Sequence, residues 1–180
     1  MMDTSPESPL AQAQAYRAAR RAFIAACEAA HVDTIARLHP SKPADGKPLF
    51  MDAAARGPRL AARALMAIAT DAAGSAIAVA LLKDAIALPA GTRLVMVHAL
   101  DPAAFAGATG DPAWVPAMLA AVAKEDMSRV HHPRLLPLGG ADAGQRVALA
   151  ATPLEPAVTI LPPAATLAKA RAAIADFFGG

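Results

Sequence analysis

The chain has 180 residues, a formal net charge of +2 at pH 7 and one cysteine, Cys27. This length suits one domain, and the nearly balanced charge argues against a nucleic-acid-binding surface. The single cysteine excludes an intrachain disulfide framework and a cysteine-based zinc site. Apolar residues make up 56% of the sequence, but 51 of them are alanines and aromatic residues are only 4%. The core is therefore expected to consist of Leu, Val, Ile and Met packed against alanine-rich helices.

The N-terminal segment is predicted to carry no targeting signal. Residues 1–9 are rich in Pro, Ser and acidic residues and lack an apolar signal region, so we expect a disordered tail before a single domain of residues 10–180. The most apolar stretch, residues 64–82, is interrupted by Thr70-Asp71 and Gly74-Ser75, which favours a strand and a helix over a membrane span. A cytoplasmic protein with neither a membrane nor a nucleic-acid partner is expected.

The first third of the chain predicts a helix followed by a hairpin. Apolar residues recur at helical spacing over residues 10–30, and Cys27 lies on the apolar stripe. We expect a buried, inert side chain there, because a reactive cysteine would need an activating environment that the sequence does not show. Three features follow in order: a strand over residues 34–38 that ends at His39-Pro40, a turn at Asp45-Gly46, and a strand from Leu49 to the Gly57-Pro58 break.

Two apolar runs in the middle of the chain predict a strand–helix–strand unit. Residues 63–70 and 92–99 are continuous apolar runs, typical of strands buried on both faces, and residues 74–88 between them have a helical pattern. A unit of this length is expected to be a right-handed βαβ motif with parallel strands. Five side chains of the two strands are predicted to be buried: Leu65, Met66, Ile68, Val95 and Val97.

The second half of the chain has weaker patterns. Residues 112–130 predict a helix, residues 131–144 a Pro/Gly-rich loop, residues 147–151 and 157–161 short strands, and residues 166–178 a terminal helix. The whole pattern predicts an α/β fold of three layers, with a mostly parallel central sheet and helices on both faces.

The common catalytic and nucleotide-binding motifs are absent from the sequence. The glycines of residues 139–144 lack the lysine and hydroxyl residue of a phosphate loop, so a plain surface loop is expected. Glu28-x-x-His31 has the spacing of half a metal site but no second copy, and His131-His132 is interpreted as a solvated pair.

Four polar residues follow or flank the ends of the two central strands. Asp71 and Ser75 come after the first strand, and His98 and Asp101 end the second. Ligands of open α/β sheets bind outside the carboxyl ends of the strands, so these residues are the candidate site. His98-x-x-Asp101 fits a metal or acid–base pair; equally, His98 fits a buried structural histidine and Asp101 a turn cap.

Short motifs run through the first 107 residues in a fixed order. They are the helix Tyr16-Arg17-Ala18-Ala19-Arg20-Arg21-Ala22-Phe23, the His39-Pro40 corner, Asp45-Gly46-Lys47-Pro48-Leu49, Arg56-Gly57-Pro58, the strand ending at Thr70, Gly74-Ser75 opening a helix to Leu81-Leu82, and Val97-His98-Ala99-Leu100-Asp101-Pro102 with Phe105. In this order they resemble the N-terminal part of an uncharacterised bacterial family of zinc-carboxypeptidase-like hydrolases, over residues of about 10–107.

The resemblance implies a truncated carboxypeptidase-like fold from which the zinc-binding motif is missing. Where that family has two zinc ligands as His-x-x-Glu after the position of Thr70, this chain has Asp71-Ala72-Ala73-Gly74 in a shorter loop, and the position of Asp101 is normally asparagine. We therefore expect no metal site, no cofactor and no catalytic residue carried over from the family.

Two functional hypotheses remain from the sequence. The first is a non-catalytic, zinc-less relative that acts as a binding or assembly protein, with an unknown protein or small-molecule partner and possible oligomer formation. The alternative is a small amide or ester hydrolase with relocated residues around Asp71, Ser75, His98 and Asp101.

Overall fold

A six-stranded mixed sheet lies between helices in the computed structural model, which describes residues 8–140, Leu149 and residues 158–180. The helices are α1 (Pro9–Ala29), α2 (Ala72–Lys83), α3 (Pro102–Phe105), α4 (Trp114–Asp126) and α5 (Leu167–Gly179). The strands are β1 (Thr34–His39), β2 (Leu49–Arg56), β3 (Arg63–Ala69), β4 (Thr92–His98), β5 (Arg134–Leu138) and β6 (Thr159–Ile160).

The strand order is β1-β2-β4-β3-β5-β6. β3 pairs in parallel with β4 and β5, β5 pairs in parallel with β6, and β2 runs antiparallel to its neighbours β1 and β4. In the part of the chain that the structure describes, five strands therefore point the same way and β2 is reversed. The predicted α/β class with a mostly parallel sheet is confirmed, and so is the β3–α2–β4 unit of adjacent parallel strands.

The two faces of the sheet have separate cores because side chains alternate along each strand. Leu65, Ala67, Leu94 and Met96 pack with α1, α2 and α5, whereas the alternate residues pack with α4. All seven residues of β4 are buried. The five side chains predicted to be buried are all at most 1% exposed: Leu65, Met66, Ile68, Val95 and Val97.

The helix ends follow from local capping. Ser8 caps α1 by accepting a hydrogen bond from the Ala11 amide at 3.2 Å, and Pro9 occupies the first helical position, one residue before the predicted start. α2 ends at Lys83, not at residue 88 as predicted, because Asp84 and Ala85 leave the helix and Ala85 has a φ of +46°. The prediction was too long because Ile86 and Leu88, which follow the helix, still pack on the core and so extend the apolar periodicity of the sequence.

β5 contradicts the predicted loop over residues 131–144. The segment has the prolines and glycines of a loop, yet Leu135 to Leu138 are buried and pair with β3. Pro137 is tolerated because its carbonyl accepts the Ala164 amide at 2.8 Å on the side away from β3. The position of its missing N–H therefore also faces away from β3. No ladder hydrogen bond is lost there, because the neighbouring strand β6 is only two residues long and does not extend to Pro137.

The remaining boundaries shift by a few residues. The helix predicted over residues 112–130 is α4 at Trp114–Asp126, and the terminal helix is shifted by one residue at each end. Of the strand predicted over residues 157–161, Thr159–Ile160 is extended and paired. Of the tail predicted over residues 1–9, residues 1–7 lie outside the described residues and Pro9 belongs to α1. The strand predicted over residues 147–151 also lies outside them, apart from Leu149, which is helical and packs in the same core cluster as α4. No helix in the described ranges is both long and apolar enough to cross a membrane.

Candidate functional site

The carboxyl edge of the sheet collects the polar residues that follow the strand ends. Because β1, β3, β4 and β5 run in the same direction, their last residues meet this edge. His39 ends β1, Asp71 follows β3, His98 ends β4 and Asp101 follows it closely. The structure therefore places the three predicted residues Asp71, His98 and Asp101 at the predicted edge, and adds His39 to them.

Asp71 is fully engaged by backbone amides. Its Oδ1 accepts a hydrogen bond from the Gly74 N–H at 2.7 Å, which caps α2, and its Oδ2 accepts one from the Gly140 N–H at 2.9 Å. Gly139 has a φ of +96°, and a Cβ at this position would collide with Asp71 Oδ1. The segment after β5 thus closes directly over the N-terminus of α2, and the Asp71 carboxylate occupies the position that a bound anion takes at a helix N-terminus.

Replacing Asp71 with alanine is expected to lower the free energy of unfolding by about 1–2 kcal/mol, because a helix cap and a link to Gly140 are lost together. Hydrogen exchange should accelerate at the Gly74 and Gly140 amides. Thr166→Ala is the matched control, since Thr166 caps α5 through the Lys169 amide alone. Equal losses of stability and unchanged exchange at Gly140 would show that Asp71 is only a cap.

Ser75 and Asp101 have structural surroundings. Ser75 is 2% exposed inside the first turn of α2. Asp101 caps α3 through Oδ1, which accepts the Ala103 and Ala104 amides at 3.0 and 3.1 Å. This is the turn-capping role that the sequence left open for Asp101, and it orients the carboxylate toward its own backbone.

His98 lies in an aromatic environment beneath α1, with no exposed surface. Its ring stacks on Phe23 at a centroid distance of 5.2 Å, and the Tyr16 and Phe105 rings lie at 6.1 Å each. Neither ring nitrogen has a hydrogen-bond partner among the described residues. Burial, assisted by the positive charge of Arg20, lowers the pKa of His98 to about 4, so the imidazole is neutral at physiological pH.

The buried His98 predicts a pH dependence of stability. The imidazole has a pKa of about 4 in the folded state and 6.5 when unperturbed, so the unfolded chain binds more protons between these values. The stability that the neutral, buried His98 contributes is complete above pH 6.5 and is lost as the pH falls toward 4. Relative to a His98→Leu variant, the wild-type free energy of unfolding should fall by up to about 1.4 kcal/mol per pH unit in this window. Parallel denaturation curves for the two proteins across this range would contradict the assignment.

An ion pair with a buried carboxylate lies next to His98 and was not predicted from the sequence: Asp52 is buried, and the Arg20 side chain is 26% exposed. Asp52 lies opposite His98 in the β2–β4 register and has no exposed surface. Arg20 of α1 donates two hydrogen bonds to the Asp52 carboxylate, from Nε to Oδ2 at 2.7 Å and from Nη2 to Oδ1 at 2.8 Å. The guanidinium carbon of Arg20 lies 4.4 Å from the centre of the Phe50 ring. The signal in the sequence was an aspartate inside an otherwise apolar strand, which requires a buried cation.

The other groups near this pair are not poised for chemistry. The Tyr16 hydroxyl donates to the Phe50 carbonyl at 2.7 Å and accepts from the Phe50 amide at 2.8 Å, and burial raises the pKa of Tyr16 to about 12. Burial also raises the pKa of the Cys27 thiol to about 11, as expected for an inert core cysteine.

His39 forms a separate neighbourhood at the same edge. It is 2% exposed, its Nδ1 accepts the Ser41 amide at 3.0 Å, and its ring meets Trp114 edge-on at 4.3 Å. Burial lowers the pKa of His39, and the charges of Asp101 and Asp111 oppose that shift. The sequence predicts His39 as a chain corner and not as part of the site. The available signal for its position was a histidine at the end of a strand, directly before a proline.

These residues do not fit a zinc ion. Catalytic zinc needs three protein ligands and an open position. Both oxygens of Asp71 accept backbone hydrogen bonds, and His98 is packed between aromatic rings. In the part of the chain that the structure describes, no three His, Cys, Asp or Glu side chains are grouped closely enough to hold a metal ion.

A family model matches the first part of the chain in sequence, and several solved structures align with the chain at low identity. Residues 12–108 match the model of a family described as "Protein of unknown function (DUF2817)". No curated protein matches the sequence significantly.

Among solved structures, a glutaminyl cyclase from Fimbriiglobus ruber is 13% identical with a TM-score of 0.44, over 79% of this chain and 65% of that one. An esterase from Mycobacterium marinum is 14% identical with a TM-score of 0.45, over 99% of this chain and 64% of that one. A putative zinc-dependent exopeptidase from Bacteroides vulgatus is 14% identical with a TM-score of 0.37, over 71% of this chain and 53% of that one. The chain thus spans between half and two thirds of each of these proteins.

Proposed function

The chain belongs to the DUF2817 family, and we propose that it is a non-catalytic member: a zinc-less relative of carboxypeptidase-like hydrolases that acts as a binding or assembly protein. The observation that carries this proposal is the engagement of Asp71. Its carboxylate joins the N-terminus of α2 to Gly140, at the place where the family resemblance puts the first zinc ligand. A side chain held by two backbone amides in this way is a structural link between two elements.

The length of the connection supports the same proposal. Only Thr70 and Asp71 separate the end of β3 from the start of α2. A Cβ at Gly74 would collide with the Leu138 carbonyl, so α2 begins in direct contact with the end of β5. Such close packing leaves little depth between these elements for a substrate.

The alternative is a small hydrolase with chemistry relocated to Asp71, Ser75, His98 and Asp101. A general base must reach the proton that it abstracts, directly or through one water. His98 has no exposed surface, Ser75 is 2% exposed, and Asp101 accepts two amides of α3. These positions favour the non-catalytic proposal over relocated catalysis.

An activity screen with defined zinc content tests the proposal. The purified full chain is incubated with N-acyl amino acids, short peptides and p-nitrophenyl esters, with added zinc and with chelator. We expect background hydrolysis in every case, no stoichiometric zinc by elemental analysis, and a melting temperature unchanged by the chelator, because a structural zinc ion would contribute several kcal/mol to folding.

Variants Asp71→Ala and His98→Leu serve as controls in the same screen. Hydrolysis that these substitutions abolish would favour the relocated-chemistry alternative, and about one zinc per chain would contradict the zinc-less assignment. Co-purification of the tagged wild-type chain from cells then identifies a protein partner or shows the chain alone or self-associated.

A further inference from the structure

A groove lies between one face of α5, from Lys169 to Phe177, and the chain that leaves β6. Its volume is about 500 Å³, within the usual range of small-molecule sites. Leu161, Pro163 and Ala164 form one wall, Ala173 of α5 forms the other, and Phe177 closes the apolar surface. These residues belong to the face of the sheet that carries α1, α2 and α5.

The apolar walls are held in place by the fold. The Leu161 amide donates to the Leu135 carbonyl and the Ala164 amide to the Pro137 carbonyl, both at 2.8 Å, and the Ala164 carbonyl accepts the Gly139 amide at 3.0 Å. Two consecutive prolines, at positions 162 and 163, fix the backbone between these anchors. The groove is therefore preformed, which lowers the entropic cost of binding.

The far end of α5 is fixed as well. Arg63 donates to the Gly180 carbonyl at 3.0 Å and to the Phe177 carbonyl, and its guanidinium carbon lies 5.2 Å from the centre of the Phe177 ring. The Arg63 guanidinium thus binds the C-terminal carbonyls of α5 and helps to fix the Phe177 ring.

Three charged side chains line the groove: Arg134, Lys169 and Asp176. All three residues are exposed, and none is in an ion pair among the described residues. The Arg134 guanidinium carbon lies 5.5 Å from the centre of the Phe177 ring, so a cation stands directly beside the apolar surface. Two positive charges and one negative charge leave the groove with a net charge of +1.

We propose that this groove binds a small monocarboxylate with an apolar body. The planar guanidinium of Arg134 pairs with the carboxylate, because its fork matches the two oxygens. The apolar body lies against Phe177, Leu161 and Pro163. Asp176 disfavours a second negative charge, which selects a monoanion over a phosphate ester. The groove is formed without Asp71, Ser75, His98 or Asp101, so the proposal goes beyond the proposed function and is independent of any hydrolytic activity.

The experiment is an amide-resolved NMR titration of the full chain with octanoate, octanamide and octyl phosphate. Octanoate should give saturable shifts centred on Leu161, Ala164, Ala173 and Phe177. Octanamide, which has the same chain without the charge, and octyl phosphate, which is a dianion at pH 8, should each bind at least several-fold more weakly. Equal binding of octanamide would overturn the carboxylate assignment, and tighter binding of octyl phosphate would overturn the preference for a monoanion.

Two variants and one control locate the site. Arg134→Gln should weaken octanoate binding about tenfold, since a charge-assisted pair is lost. Ala173→Phe should abolish binding by filling the groove, and it tests the site even if Arg134→Gln fails to fold. Arg129→Gln removes another exposed arginine and should bind octanoate as the wild type does. Wild-type affinity for octanoate in both groove variants would overturn the proposal. So would groove shifts that depend on protein concentration without octanoate, because they would indicate that a second copy of the chain occupies the groove.

Discussion

Replacing Arg20 with methionine is expected to destabilise the fold by about 3–5 kcal/mol, because Asp52 is then left charged and unpaired in the core. Asp52 has no exposed surface and accepts both arms of Arg20 at 2.7 and 2.8 Å. Methionine keeps an unbranched apolar side chain at this position, so the loss reports mainly the missing charge and its hydrogen bonds. The measurement is chemical denaturation at pH 7.

A second substitution separates the charge from the packing. In the double variant Arg20→Met with Asp52→Leu, most of the lost stability should return, since no unpaired charge is then left in the core. Arg171→Met is the control: it breaks the exposed pair with Asp84 and should change stability far less. A double variant as unstable as Arg20→Met would show that packing, and not the unpaired carboxylate, explains the loss.

Val95→Asp is expected to prevent folding altogether. Val95 has no exposed surface and lies in β4 between Ala55 of β2 and Met66 of β3. A charge without a partner costs several kcal/mol here, a large part of the 5–15 kcal/mol that stabilises a typical domain. Ile35→Asp, on the exposed edge strand β1, should fold normally. Circular dichroism and thermal melting distinguish the two; a cooperatively folded Val95→Asp protein would contradict the placement of β4.

The parts of the fold that burial dictates were predictable from the sequence. The apolar runs of β3 and β4 have no polar face, so their central position and their parallel pairing followed from composition and from the length of the connection. Strand β5 was not predictable in this way, because Pro137 argues against a central strand. A proline fits there only because the neighbouring strand β6 is two residues long, which the sequence does not reveal.

The position of the candidate site was predictable, but its chemistry was not. Strand ends place Asp71, His98 and Asp101 at one edge of the sheet whatever their neighbours are. Their partners come from distant parts of the chain: Gly140, which binds Asp71, is 69 residues away, and Phe23, which stacks on His98, belongs to α1. No local pattern encodes such contacts, so the sequence left both a catalytic and a structural role open for these residues.

The two-residue connection between β3 and α2 also limits what protein engineering can achieve at this edge. Introducing histidine at position 71 would remove the carboxylate that joins α2 to Gly140 and would leave the backbone path unchanged. A Cβ at position 74 would already collide with the Leu138 carbonyl, so no ligand side chain can be introduced there unless the main chain is rebuilt. Building a metal-binding cleft at this edge therefore requires an insertion after Thr70, and libraries of point substitutions at these positions should yield no metal-dependent variant.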